Sequence, residues 1–110
     1  MYTPIQLDKA RNLRYGYMGL SLIEEALGMN INKVLIKATK GDLSIKETFT
    51  MIWAGLYHED KELTVEKVID LVDEYSDIET VSELMGKAIE KSLAKKENNE
   101  KNVVKVASKK

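Results

Sequence analysis

The chain's single histidine stands in the run His58-Glu59-Asp60, a grouping of imidazole and carboxylates that invites metal or acid-base chemistry. A zinc site draws three or four converging ligands, most often imidazoles and thiolates. This sequence has one His and no Cys. His58 therefore reads as a polar residue closing a helix, where the negative end of the helix dipole favours a positive ring. Asp70, Asp73, Glu74 and Asp77 form a second acidic group. Helical spacing projects them at fixed separations without the wrapping loop of carbonyl oxygens that calcium takes, so they read as a solvated face. Glu24 and Glu25 are adjacent and diverge by about 100° on a helix, which is no geometry for flanking a substrate. The glycines of YGYMGL and GDLSIK lack the spacing of a phosphate loop. The residues thus assign no catalytic, cofactor-binding or metal site, and no enzyme activity is expected.

The elements that carry these side chains are bounded first by size. A chain of 110 residues, 44% hydrophobic and 32% charged, suits one domain with a modest core and few residues to spare for a deep pocket. Absence of Cys removes disulfides and thiolate chemistry and fits a reducing compartment. No apolar run approaches the length of a membrane span and the N-terminus has no apolar signal core, so the expected location is the cytoplasm. The net charge of −1 is unevenly spread: residues 91–110 carry seven Lys and two Glu, +5, which leaves −6 on residues 1–90. An acidic body of this kind is a poor match to nucleic acid, whose affinity rests on clustered Lys and Arg.

Hydrophobic spacing and end signals predict an all-α, compact bundle of about five short helices. The first covers about Tyr17 to Leu27 and ends at Gly28; the second covers about Ile31 to Thr39 and ends at Gly41. Ser44 and Glu47 form a capping box that opens the third, whose apolar stripe is Ile45, Phe49, Ile52, Trp53 and Leu56. The fourth follows Thr64, with Val65, Val68, Ile69 and Val72 inward. Thr80 and Glu83 read as a second capping box, opening a fifth helix that buries Val81, Leu84, Met85, Ala88 and Ile89. Residues 1–16 read as an extended arm, with room for one short strand, and 17–94 as the helical domain. Residues 95–110 lose periodicity and read as a flexible, disordered, lysine-rich tail.

Met18, Met29, Met51 and Met85, with Phe49, Trp53, Tyr15, Tyr17, Tyr57 and Tyr75, make a reserve of large adaptable surface of the kind that suits variable apolar partners. The candidate partner-binding residues are Phe49, Met51, Trp53 and Tyr57. Met51 and Tyr57 lie off the main stripe of the third helix and are the ones expected to stay partly exposed. An uncovered apolar patch marks a partner site.

The block LDKARNLRYGYMGLSLIEEALG resembles the opening of the tail assembly chaperones of long, flexible-tailed bacteriophages and related prophages, through Asp8, Arg11, Leu13, Arg14, Tyr15, Leu20, Ile23, Glu24, Glu25 and Gly28. GDLSIKETFTMIWAGL and LTVEKVIDLVDEY resemble the next two blocks in the same order, and together the three cover about residues 5 to 90. The resemblance implies a non-enzymatic protein that binds the tape-measure protein in the host cytoplasm, helps recruit tail-tube subunits and is absent from the mature virion. It also implies a longer frameshifted form that contacts tube protein. Self-association would strengthen the holding of one long chain by many copies. Two rival expectations are a small helical DNA-binding regulator and another phage head-tail assembly component. The first is disfavoured because the fourth helix displays Asp and Glu where a recognition helix displays basic and amide groups.

Overall fold

The computed structural model describes the backbone of residues 2–108 and the side chains of residues 2–93. Within that range the chain forms two strands, β1 (Thr3–Gln6) and β2 (Ala10–Leu13), and five helices, α1 (Tyr17–Leu27), α2 (Ile31–Thr39), α3 (Ile45–Leu56), α4 (Val65–Tyr75) and α5 (Ile78–Ser108). It is a mostly helical, compact fold carrying one small antiparallel sheet. The first two helices end as their glycines dictate: Gly28 and Gly41 take φ of 67° and 73°, which a side chain would resist. Asn30, Ser44 and Thr64 each accept a hydrogen bond from an amide in the first turn of α2, α3 and α4. At α3 the pairing is reciprocal, because the Ser44 amide also donates to the Glu47 carboxylate at 2.9 Å.

The centre of the bundle is α3, which packs against α1, α4, α5 and β2. Eight of its twelve residues are buried, so it is enclosed nearly all round rather than along one stripe. This corrects the expectation for two candidate residues. Met51 is 0% exposed and Phe49 is also in the core, so neither offers surface to a partner. The cause lies in the N-terminal arm. It is not a lone extended segment: β1 pairs with β2 in a hairpin whose register sets Thr3 opposite Leu13 and Ile5 opposite Arg11. Pairing settles the backbone groups of the arm, and docking on α3 and α5 buries Ile5, Leu7, Leu13 and Tyr15. The arm therefore shares one core with the helices.

Tyr15 is the pin of this arrangement. Its hydroxyl donates to the Met51 carbonyl at 2.6 Å, and its own carbonyl accepts from the Ser92 hydroxyl of α5. Burial pushes its phenol far up from the ordinary value, so it stays a neutral donor. The start of α5 also differs from the pattern in the sequence. Asp77, not Thr80, accepts from the first turn, taking the Thr80 amide at 2.8 Å and the Thr80 hydroxyl at 3.1 Å. Asp outranks Thr as a cap, and the helix gains most of a turn by starting at Ile78. At the far end, helical backbone runs on to Ser108 through most of the segment expected to be a tail; no Gly or Pro interrupts it, and the side chains of 94–110 lie outside the described residues.

Candidate protein-binding groove

A groove of about 450 Å³ opens where the start of α1 meets the end of α3. Its floor is made of small residues, Gly16, Gly19 and Ala54. Gly19 is needed there: a Cβ on it would stand 3.3 Å from the Ala54 carbonyl oxygen, so the two helices cross at backbone distance. Tyr17 and Met18 form one lip, 78% and 68% exposed, among the most exposed large apolar residues of the chain. Tyr57 forms part of the other, with Trp53 set edge-on to it at 5.6 Å between ring centroids. Trp53 itself is half-buried and donates its indole N–H to the Leu63 carbonyl at 2.9 Å, which ties the loop after α3 back onto the helix.

Arg14, His58 and Lys61 supply the polar part of the lining, and among the described residues no carboxylate is in it. Arg14 and Lys61 are exposed and take part in none of the ion pairs among the described residues. The Arg14 guanidinium stands 5.9 Å from the Tyr2 ring. His58 donates through Nε2 to the Asn12 carbonyl at 2.8 Å and lies beside Tyr2, so its role is to fasten the end of α3 to β2. The first turn of α1 has no acidic residue and no side-chain cap, so the positive end of that helix also faces this region.

The carboxylates near the groove are committed to holding the hairpin. Asp8 and Asp60 grip the buried Arg11, with Asp8 bidentate at 2.9 and 3.0 Å and Asp60 at 3.4 Å. Hydrogen bonding to Arg11 holds the Asp8 carboxyl below its ordinary value. Glu59 accepts from the Asn12 amide at 2.9 Å and from its side chain at 3.0 Å. Burial works against the Glu59 charge, but these bonds, with His58 and Arg11 nearby, outweigh it and leave that carboxyl lowered as well.

A second groove, of about 540 Å³, runs between α2 and α5 and is lined mainly by Leu35, Leu43, Met85, Ile89 and Leu93. Among the described residues its one charged residue is Glu90. Its described lining reaches Leu93. Asp70, Asp73, Glu74 and Asp77 are all exposed, as a solvated acidic face requires. Among the described residues no three His, Cys, Asp or Glu side chains converge, and no helix is long and apolar enough to cross a membrane.

Of the four candidate residues, the structure leaves only Tyr57 on a groove, with Trp53 behind it. Tyr17, Met18 and Arg14 were present in the sequence as a Met and aromatic reserve and as part of a family-like block. Nothing in periodicity singled them out as a lip.

No family model matches the chain, and no curated protein or solved structure matches it either.

Proposed function

We propose that this protein is a non-enzymatic tail assembly chaperone that binds a phage tape-measure protein and helps recruit tail-tube subunits in the host cytoplasm. Two things support the reading: the ordered resemblance of three sequence blocks to that family, and the exposed Tyr17–Met18 lip on the groove between α1 and α3. The lip is the observation that carries it. A tape-measure chain is a long helix with apolar stripes that aggregates unless covered, and a groove with an apolar lip covers such a stripe by helix-in-groove packing. Removing about 400 Å² of apolar surface from water gives about 10 kcal/mol before ordering and association costs, which cancel much of it. The outcome is holding that is reversible at each site and firm over many copies.

A DNA-binding role has less support, since the exposed face of α4 is acidic. A structural head-tail component is separated by mass spectrometry of purified virions, where a chaperone is absent. The direct test is affinity purification from cells that also express the cognate tape-measure protein. Recovery of a complex supports the reading, and a clean lack of one at micromolar concentration removes it.

A further inference from the structure

We infer that the groove between α1 and α3 is selective for an acidic amphipathic helix, with Arg14 and Lys61 as the residues that choose it. This deepens the proposed function and rests on it for the identity of the partner, but it is argued from the groove alone. The first argument is charge. Residues 1–90 sum to −6, yet among the described residues the groove lining contains two cations and no carboxylate. The second groove is the reverse among the described residues, with Glu90 and no cation. A cationic lining on an acidic body is a local feature, so it attracts one kind of ligand without making the whole surface adhesive. Two nearby carboxylates have partners of their own: Asp60 pairs with Arg11, and Glu59 accepts from Asn12. Arg14 and Lys61 are therefore left to pair with groups brought by a partner.

The second argument is backbone chemistry. Among the described residues the walls come from α1, α3, the loop after α3 and the link from β2 to α1 that carries Arg14 and Gly16, and neither strand of the hairpin is in the lining. An occupant finds no ladder of free amides and carbonyls to pair with. It must satisfy its own backbone, and a helix does so. The third is shape. Gly19 and Ala54 are taken up by the close crossing of α1 and α3, which leaves the groove shallow there, while Met18 and Tyr57 supply flexible and flat apolar contact on either side. An occupant that fits has Leu or Ile at i, i+3, i+4 and i+7 and Glu or Asp flanking that stripe, one turn apart, within reach of Arg14 and Lys61.

The test uses the full chain and two synthetic helical peptides that share one Leu/Ile stripe and carry either Glu or Lys at the flanking positions. Fluorescence anisotropy at low ionic strength is expected to show the Glu peptide binding at least about fivefold more tightly, the size of effect that a pair of exposed ion pairs gives. The preference is expected to vanish in about 1 M salt, where the screening length is about 3 Å. The variant R14E/K61E is expected to reverse the preference towards the Lys peptide, a gain that a damaged fold does not produce. Equal binding of the two peptides, no binding of either, or an unreversed preference in the variant overturns the inference. So does a loss of self-association in R14E/K61E with peptide binding intact, which assigns the groove to a second copy of the chain. Failure here with the tape-measure complex still recovered leaves the proposed function standing; loss of that complex removes the function whatever the peptides do.

Discussion

Gly55 has the tightest surroundings of the glycines in the described structure. A Cβ there would lie 2.7 Å from the Tyr15 ring and 2.9 Å from the Leu13 side chain, both of them buried on all sides. Neither neighbour has free space to move into, so Gly55→Ala is expected to destabilise the fold by about 1–3 kcal/mol in urea unfolding, the usual cost of overpacking. Gly86, with open space around it, tolerates the same change. Tyr15→Phe isolates the other half of the contact. It keeps the ring and removes the hydroxyl that donates to the Met51 carbonyl, so it is expected to cost about 1 kcal/mol and leave the native structure unchanged. A neutral result for Gly55→Ala would mean that the hairpin slides away from α3 without penalty, and the pin role given to Tyr15 would go with it. Neither residue announces this in the sequence. Gly55 looks like a helix glycine of ordinary cost, and Tyr15 like an arm residue, because the contact joins positions 40 apart in the chain.

At the scale of elements, the helices were legible and the hairpin was not. Tyr17–Leu27 and Ile31–Thr39 follow from stripes and terminal glycines, and the third helix from its capping box, since those signals act within a few residues. The hairpin has no Asn-Gly or Asp-Gly turn to mark it, and its closing residues, Leu7 to Lys9, gain their meaning from Asp8 gripping Arg11. That grip predicts how the fold responds to acid. Asp8 and Glu59 both bind a proton less readily in the fold than at their ordinary values of 3.8 and 4.5. Their contribution to stability is therefore complete above those values and is lost as pH falls through the lower values of the folded state. Unfolding free energy is expected to be flat near neutrality and to drop below about pH 4. The double variant D8N/E59Q is expected to start lower and to show a shallower drop; Glu47 and Asp77, lowered by the Ser44 amide and the Thr80 amide, keep part of it. An acid limb as steep as that of the parent would show that the clamp adds nothing. A local control is Ser44→Ala, which breaks the capping box of α3 and is expected to cost about 1 kcal/mol near neutrality.

For the whole molecule, the question is which apolar residues serve the fold and which serve a partner, and the sequence sorts them wrongly for a physical reason. Helical spacing says that α3 is apolar on one face. It does not say that a hairpin from the N-terminus will close over the face that holds Met51. Burial of that second face moves the exposed apolar surface from α3 to the start of α1. Two single variants separate the roles. Met51→Ala opens a cavity in the centre of the bundle and is expected to lower stability by about 2–5 kcal/mol while any loss of partner binding only tracks the unfolded fraction. Met18→Asp alters a side chain with little of its surface in contact, so its effect on unfolding is expected to stay within about 0.5 kcal/mol. Its effect on partner binding is expected to be large, because it places a carboxylate on an apolar lip and opposes an acidic helix. Urea unfolding and peptide anisotropy on the same two preparations give the comparison. If Met18→Asp binds as the parent does while Met51→Ala loses binding beyond its loss of folded protein, the contact surface belongs to α3 after all, and the groove at α1 is an ordinary irregularity of the surface.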